Sequence, residues 1–304
     1  FDFCRRVGTG KVNRRALEAL IRAGAFDSLT EPRWVLMSSL EDAIGQADQE
    51  ARNEAVGMDD MFGLGGGNES QAASDPYQHH RSAVRWSERD VLRGEKETLG
   101  LYLTGHPIDW YADDLKGLGA KALENLERTK DTVRVAGLVV GLRVIRNKRG
   151  DSFGIVTLDD RTARMDVTVF ADLFADCREK LADDSLVVIE GDVSFDEFTN
   201  GLKMRANKVE TLENARKQSA SGLKIHLDMK APEFTETLLS KIQPHLGGEC
   251  PIVIAYNAAN ASGEVVLGEQ YQVHPNDSLL LELQELLGQD RVQLEFSART
   301  QQRA

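Results

Sequence analysis

Apolar residues recur at helical spacing in two stretches near the start of the chain. Leu17, Leu20 and Ile21 share one face at i, i+3 and i+4, which predicts a helix over 13–23 with Asn13 as its N-cap and Gly24 as its stop. Leu36, Leu40, Ala43, Ala47, Ala51 and Ala55 form a second, narrower stripe and predict a helix over 34–56. Alanine thins that stripe toward its end, so the helix is expected to project from its domain. Periodicity then stops. From Gly65 the chain turns to Gly, Ser, Asn and Gln, which bury too little apolar surface to offset the entropy of ordering, and 65–86 read as a flexible linker. Helical spacing resumes after Ser87, a candidate N-cap, and runs to about Leu103 before Thr104 and Gly105. Residues 1–64 thus form a helical region and 87–132 a helical connector.

Alternation with a period of two takes over at Val133. A long strand over 133–147 leads through Lys148, Arg149 and Gly150 into a second over 152–160, and Arg161 and Thr162 turn the chain into a third over 164–170. A short helix over 171–181 crosses to strands over 185–193 and 201–209. Five strands with a helix between the third and fourth match a small closed barrel of the OB type over 133–213. Gly137 and Gly141 suit the sharp coiling that such a barrel imposes on its first strand. Beyond it, 222–297 read as a small α+β domain. Strands are predicted over 220–229, 251–257, 263–268 (continuing through 271–275) and 291–296, and helices over 233–245 and 277–287. The chain is therefore multidomain α and β, with an N-terminal helical segment, a five-stranded OB-type β-barrel and a C-terminal small α+β domain.

Composition excludes several classes. A hydrophobic share of 41% beside 28% charged residues fits a globular protein, and no apolar run is long enough to span a membrane. Cys4, Cys177 and Cys250 are an odd number at wide spacing, which indicates neither a disulfide framework nor a zinc site. The chain begins at Phe1 without a signal segment and reads as a piece of a longer, cytoplasmic protein. His79 and His80 lack a third ligand, His106 has no nucleophile in register, and no triad or metal cluster assembles, so no catalytic or metal-binding residue is expected.

Charge is distributed unevenly around the net −12. The first thirty residues are locally basic, and Lys11, Arg14 and Arg15 gather at a helix entrance, where side chains and free N–H groups together can receive a phosphate. From 133 to 213 twelve Lys and Arg face fifteen Asp and Glu, so any affinity of the barrel for nucleic acid should be weak and steeply salt-dependent. Arg143, Arg146, Lys148 and Arg149 are its candidate phosphate contacts, and Phe153, Phe195 and Phe198 its candidate stacking platforms. From 223 to 296 four basic residues stand against eleven acidic ones, which suits a protein partner and not a nucleic acid.

Several segments carry a resemblance. EKETLGLYLTGHP (95–107) closely resembles the segment before the OB domain in the alpha subunit of bacterial DNA polymerase III. KVNRRALEALIRAGAFDSL (11–29) is similar to the end of that family's helix-hairpin-helix region, and GLVVGLRVIRNKRG (137–150) with LDDRTARMDVTVF (158–170) resembles its OB domain. The resemblance covers essentially the whole chain in one order. It implies the C-terminal part of a DNA-directed DNA polymerase, a nucleotidyltransferase whose palm and Mg2+ ions lie upstream, so the piece itself should be noncatalytic and need no cofactor. Its implied work is processivity and replisome assembly in DNA replication, through single-stranded DNA, the sliding clamp (beta) and the tau subunit of the clamp loader, which in this family docks on the C-terminal domain.

The resemblance gives GMDDMFGL (57–64) a role. The family's clamp-binding motif falls here, and Met58, Asp59, Asp60, Met61 and Phe62 occupy its positions; Met61 and Phe62 fit as apolar anchors, while Met58 stands where Gln is usual. QLEF (293–296) is superficially similar to a clamp motif but alternates as a core strand. Two further readings compete: a stand-alone OB-fold protein that protects single strands, and the tRNA-binding appendage of an aminoacyl-tRNA synthetase. The net charge and the flanking domains oppose the first, and the absence of a synthetase motif opposes the second.

Overall fold

A computed structural model of the chain describes residues 1–8, 10–29, 31–55, 75–146, 150–196, 201–228, 233–258 and 261–297. These fall into two compact units, 1–107 and 108 onward.

The first unit is helical: α1 (Asp2–Val7), α2 (Arg14–Arg22), α3 (Arg33–Ser38), α4 (Leu40–Ala55) and α5 (Glu88–Leu99). Its core gathers Cys4, Leu17, Ile21, Leu40, Ala43 and Ala47, the apolar stripes of α2 and α4. Asn13 caps α2 by accepting the N–H of Ala16 at 2.9 Å. The helix expected over 34–56 is two helices, interrupted at Ser39, whose buried hydroxyl donates to the Leu36 carbonyl at 3.2 Å and competes with the regular ladder. Ser87 and Asp90 cap α5 reciprocally, and Gly100 ends it in the left-handed region at φ 75°, so the helix stops short of the expected Leu103.

The linker expected through residue 86 is shorter at its far end. From Asp75 the chain packs on the helices: Tyr77 meets Phe1 edge to face at 5.2 Å, and His80 lies between the Ser38 hydroxyl at 3.1 Å and the Asp42 carboxylate at 3.0 Å. Arg81 pairs with Glu31 and, at 2.5 Å, with Asp75. Polar side chains that suggested solvation are consumed in these pairs.

A buried ion pair holds the end of this unit. Glu95 is fully buried and pairs with Arg33 at 3.0 Å, while its other oxygen accepts the N–H groups of Leu103 at 2.7 Å and Thr104 at 3.0 Å. Burial alone would push its carboxyl up, but these donors, the Thr104 hydroxyl and Arg33 outweigh it and hold the group below the usual glutamate value. His106, a few residues on, is buried with its ring at 5.6 Å from Tyr102, a structural position.

The second unit opens with α6 (Ala112–Gly117) and continues into the barrel: β1 (Thr129–Arg146), β2 (Ser152–Asp159), β3 (Arg164–Val169), α7 (Ala171–Cys177), β4 (Leu186–Asp196) and β5 (Gly201–Thr211). The five strands close in the order β1-β2-β3-β5-β4. One strand can serve two neighbours because β1 is 18 residues long: its first part pairs with β4 and its second with β2, with an irregularity between Val139 and Gly141 where it bends. β3 and β5 meet in a short parallel seam, Val167 opposite Met204 and Thr168 opposite Arg205. Alternate side chains fill the interior, among them Val135, Val156, Leu158, Val167, Ile189 and Met204.

The C-terminal domain follows α8 (Leu212–Ser219). It comprises β6 (Ala220–Asp228), α9 (Glu233–Ile242), β7 (Leu246–Cys250), β8 (Ile252–Ala258), β9 (Ala261–Val266), α10 (Asp277–Leu287) and β10 (Val292–Phe296). The sheet order is β10-β6-β8-β9, with β6 parallel to β8. Leu223, Ile225 and Ile252 pack against Leu238 and Ile242 of α9 and Leu279 and Leu283 of α10. The strand expected to continue through 271–275 is instead a single turn followed by Val273, which bridges to both ends of β7.

Barrel and C-terminal domain share packing. Phe296 lies with Tyr111, Leu118, Ala136, Val188 and Leu212 in one cluster, so QLEF is a strand whose last side chain is half-buried between domains. A Cβ on Gly117 would fall 2.1 Å from the Phe296 ring, which leaves room only for glycine unless the ring moves. Beside this cluster the guanidinium of Arg216, 2% exposed, reaches Asp114 of α6 and Asp277 of α10, and the Tyr111 hydroxyl donates to Asp277 at 2.8 Å. Desolvation raises the Asp114 carboxyl, with Arg216 pulling it back.

Candidate nucleic-acid interface

Strand parity sorts the barrel's side chains. On β2 Gly154, Val156 and Leu158 point inward, which turns Phe153, Ile155 and Thr157 out; on β3 Met165, Val167 and Val169 point inward, which turns Arg164, Asp166 and Thr168 out. Register joins them into one surface: Ile145 of β1 faces Phe153, Ile155 faces Thr168, and Thr168 faces Arg205 across the seam.

On this surface, just past the end of β3, Phe170, half-exposed at 50%, has its ring 6.3 Å from that of Phe153 and inclined by 31°. The guanidinium of Arg205 lies over the Phe170 ring at 5.2 Å. Phe170 takes this position because β3 ends at Val169, and Phe170 is the extended residue that starts α7, its carbonyl accepting the Phe174 N–H at 2.7 Å. Two aromatic faces, an aliphatic neighbour in Ile145 and a cation form a surface on which flat bases can stack while a phosphate is held.

The residues singled out from sequence are placed differently. Arg143 is on the same surface but is paired with Asp166 at 2.6 Å, and Asp166 also accepts the Thr157 hydroxyl at 2.6 Å. Its charge is spent within the sheet. Arg146 is exposed at the end of β1; Lys148, Arg149 and Phe198 lie outside the described residues. Phe195, 45% exposed, keeps the inward parity of Val193 and faces Leu202, so it sits at the rim of the barrel and not on the Phe153 surface. Phe170 and Arg205 were not singled out, and only the β3–β5 pairing brings them together.

In the helical unit, Lys11 and Arg15 are exposed near the start of α2, while Arg14 is held by Glu18 at 2.8 Å and Glu41 at 2.6 Å. The five positions 58–62 lie outside the described residues. Among the described residues no group of three His, Cys, Asp or Glu side chains could hold a metal ion, and no helix is long and apolar enough to cross a membrane.

Geometry and topology define a barrel of the OB-fold nucleic-acid-binding class, and the family model of that description matches residues 133–212. A helix-hairpin-helix motif matches 1–36, and the model described as DNA polymerase III subunit alpha, C-terminal domain, matches 237–288. The chain is 40% identical over 313 residues to the DNA polymerase III subunit alpha of Pseudomonas aeruginosa, covering 97% of this chain and 26% of that protein. The corresponding subunit of Escherichia coli K12 is 42% identical over 305 residues at the same coverage. Among solved structures, the second OB-fold domain of replication protein A from Methanococcus maripaludis aligns with 30% of this chain and 93% of its own, at 15% identity and a TM-score of 0.23. The chain belongs with the C-terminal region of the bacterial DNA polymerase III alpha subunits, and it spans about a quarter of their length.

Proposed function

We propose that this chain is the noncatalytic, processivity and assembly region of a cytoplasmic replicative polymerase subunit in a bacterium. The outward face of β1, β2, β3 and β5 holds single-stranded DNA; the acidic C-terminal domain docks the tau subunit of the clamp loader; Met58–Phe62 engage the sliding clamp. Nucleotidyl transfer, and the Mg2+ it uses, belong to the remainder of such a subunit.

The observation that carries the DNA reading is the Phe153, Phe170 and Arg205 cluster on the open face of an OB barrel. Rings and cation there leave no base edge to be read, so binding should tolerate sequence. Phe170→Ala together with Arg205→Ala should weaken an oligothymidylate by about 1–3 kcal/mol for the lost stacking and flatten the salt dependence by about 0.7 in log–log slope for the lost cation. Fluorescence anisotropy across a salt titration measures both, and unchanged affinity at low salt would remove this face from the DNA path. For the clamp, Met61→Ala with Phe62→Ala should abolish capture by immobilised sliding clamp without altering the unfolding midpoint.

A further inference from the structure

The two edges of the C-terminal sheet are treated differently by the fold. At the β10 edge the Ser297 N–H donates to the Ser219 carbonyl at 3.1 Å, and Phe296 packs into the cluster shared with the barrel. At the other edge β9 pairs with β8 on one side, and among the described residues no strand lies on its other side. The Leu267 N–H reaches the Ile252 carbonyl at 2.9 Å, which fixes the alternation: the N–H groups of Ser262, Glu264 and Val266 turn away from β8.

Such an edge is ordinarily blunted by lysine, proline or a bulge. β9 has none of these. Its sequence, ASGEVV, carries one charge, and Glu264 is engaged by Lys224 at 2.5 Å. Val265 and Val266 are 50% and 65% exposed and point to opposite faces, so an added strand would find an apolar side chain on each side of the sheet.

Charge decides what can lie there. A second copy would bring together two domains that each carry eleven acidic and four basic residues over 223–296. That excess attracts a cationic chain and repels an identical one.

We propose that β9 accepts an extended, lysine- or arginine-rich segment of a partner protein as a fifth strand of this sheet, with aliphatic side chains at alternate positions against Val265 and Val266. The proposal rests on the reading of the C-terminal domain as a protein-docking module and adds the place and the chemistry of the docked segment.

The test uses the whole chain with two probes, an amidated peptide of alternating lysine and valine and the purified tau subunit, and reads backbone amide exchange by NMR. The peptide should slow exchange at Ser262, Glu264 and Val266, and a glutamate–valine peptide should not. Val266→Pro deletes an outward donor and no ladder bond, and should weaken the lysine–valine peptide by roughly tenfold or more while exchange at Ile225 and Ile252 stays slow. Unprotected β9 amides in the presence of the lysine–valine peptide, or equal binding by Val266→Pro, would overturn the proposal. Capture of tau without β9 protection also overturns strand addition by tau but leaves the docking reading standing. Protection by the peptide without capture of tau retains the edge and retires tau as its occupant.

Discussion

Arg216 of α8 and Asp277 of α10 form an ion pair between the segment that leaves the barrel and the second helix of the C-terminal domain. Asp114 of α6 receives the other side of the same guanidinium, with Nε at 3.0 Å. Three elements thus share one buried cation. Arg216→Ala would strand Asp114 at 14% exposure and should destabilise the second unit by about 3–5 kcal/mol. Arg216→Met combined with Asp114→Leu removes the buried pair, leaves the half-exposed Asp277 to the Tyr111 hydroxyl and solvent, and should recover most of that loss, because apolar replacements of a buried pair avoid its desolvation cost. Urea unfolding of the two variants checks the order.

Glu95 gives the helical unit an acid limb. Its folded pKa lies below the usual glutamate value, so its contribution is complete above that value, about 4.3 in an unfolded chain, and is lost as pH falls through the depressed folded value. Glu95→Gln keeps the shape but not the charge. Its unfolding midpoint should be lower than wild type at neutral pH, and the difference should close below about pH 4. Midpoints measured from pH 7 downward test this.

On the face proposed for DNA, Arg143 and Asp166 cancel. Arg143→Ala leaves the Asp166 carboxylate unopposed and should lower single-strand affinity at low salt, an effect that should fade as salt is added. Asp166→Asn should raise affinity at low salt, because it frees the Arg143 cation, and the gain should vanish as salt is added. Anisotropy titrations at two ionic strengths separate the outcomes.

The three cysteines are buried and free. Burial pushes the Cys250 thiol up to about 11, and Cys4 and Cys177 are raised for the same reason. Native protein at pH 8 should react slowly with Ellman's reagent, and unfolding in guanidinium should release all three thiols at once.

Much of the fold was legible where local chemistry repeats. The caps at Asn13 and Ser87, the alternation of the barrel strands and the leucine face of α10 each follow from side chains within one element. β7 was not visible because LGGEC has neither alternation nor β-branched residues and is held by bridges to Val273. β1 begins at Thr129, before the apolar run, since Thr129 pairs with Val193 of β4 across an irregularity, while Lys130, Asp131 and Thr132 face solvent and give no apolar signal. The site was legible only as a face. Arg143 belongs to it yet is neutralised by a residue on β3, and Phe170 meets Arg205 across 35 positions of sequence through a parallel pairing that no local pattern announces.

The seam that makes this meeting possible is also where the barrel is joined most sparingly, by two opposed residue pairs between β3 and β5. On the proposed function, an oligonucleotide stacked on Phe170 and held by Arg205 would touch both banks of that seam. It would act as a suture from outside, so that occupancy and closure become one equilibrium: each stacked base resists the parting of β3 from β5, and a barrel that gapes there loses its grip on DNA before it loses its fold.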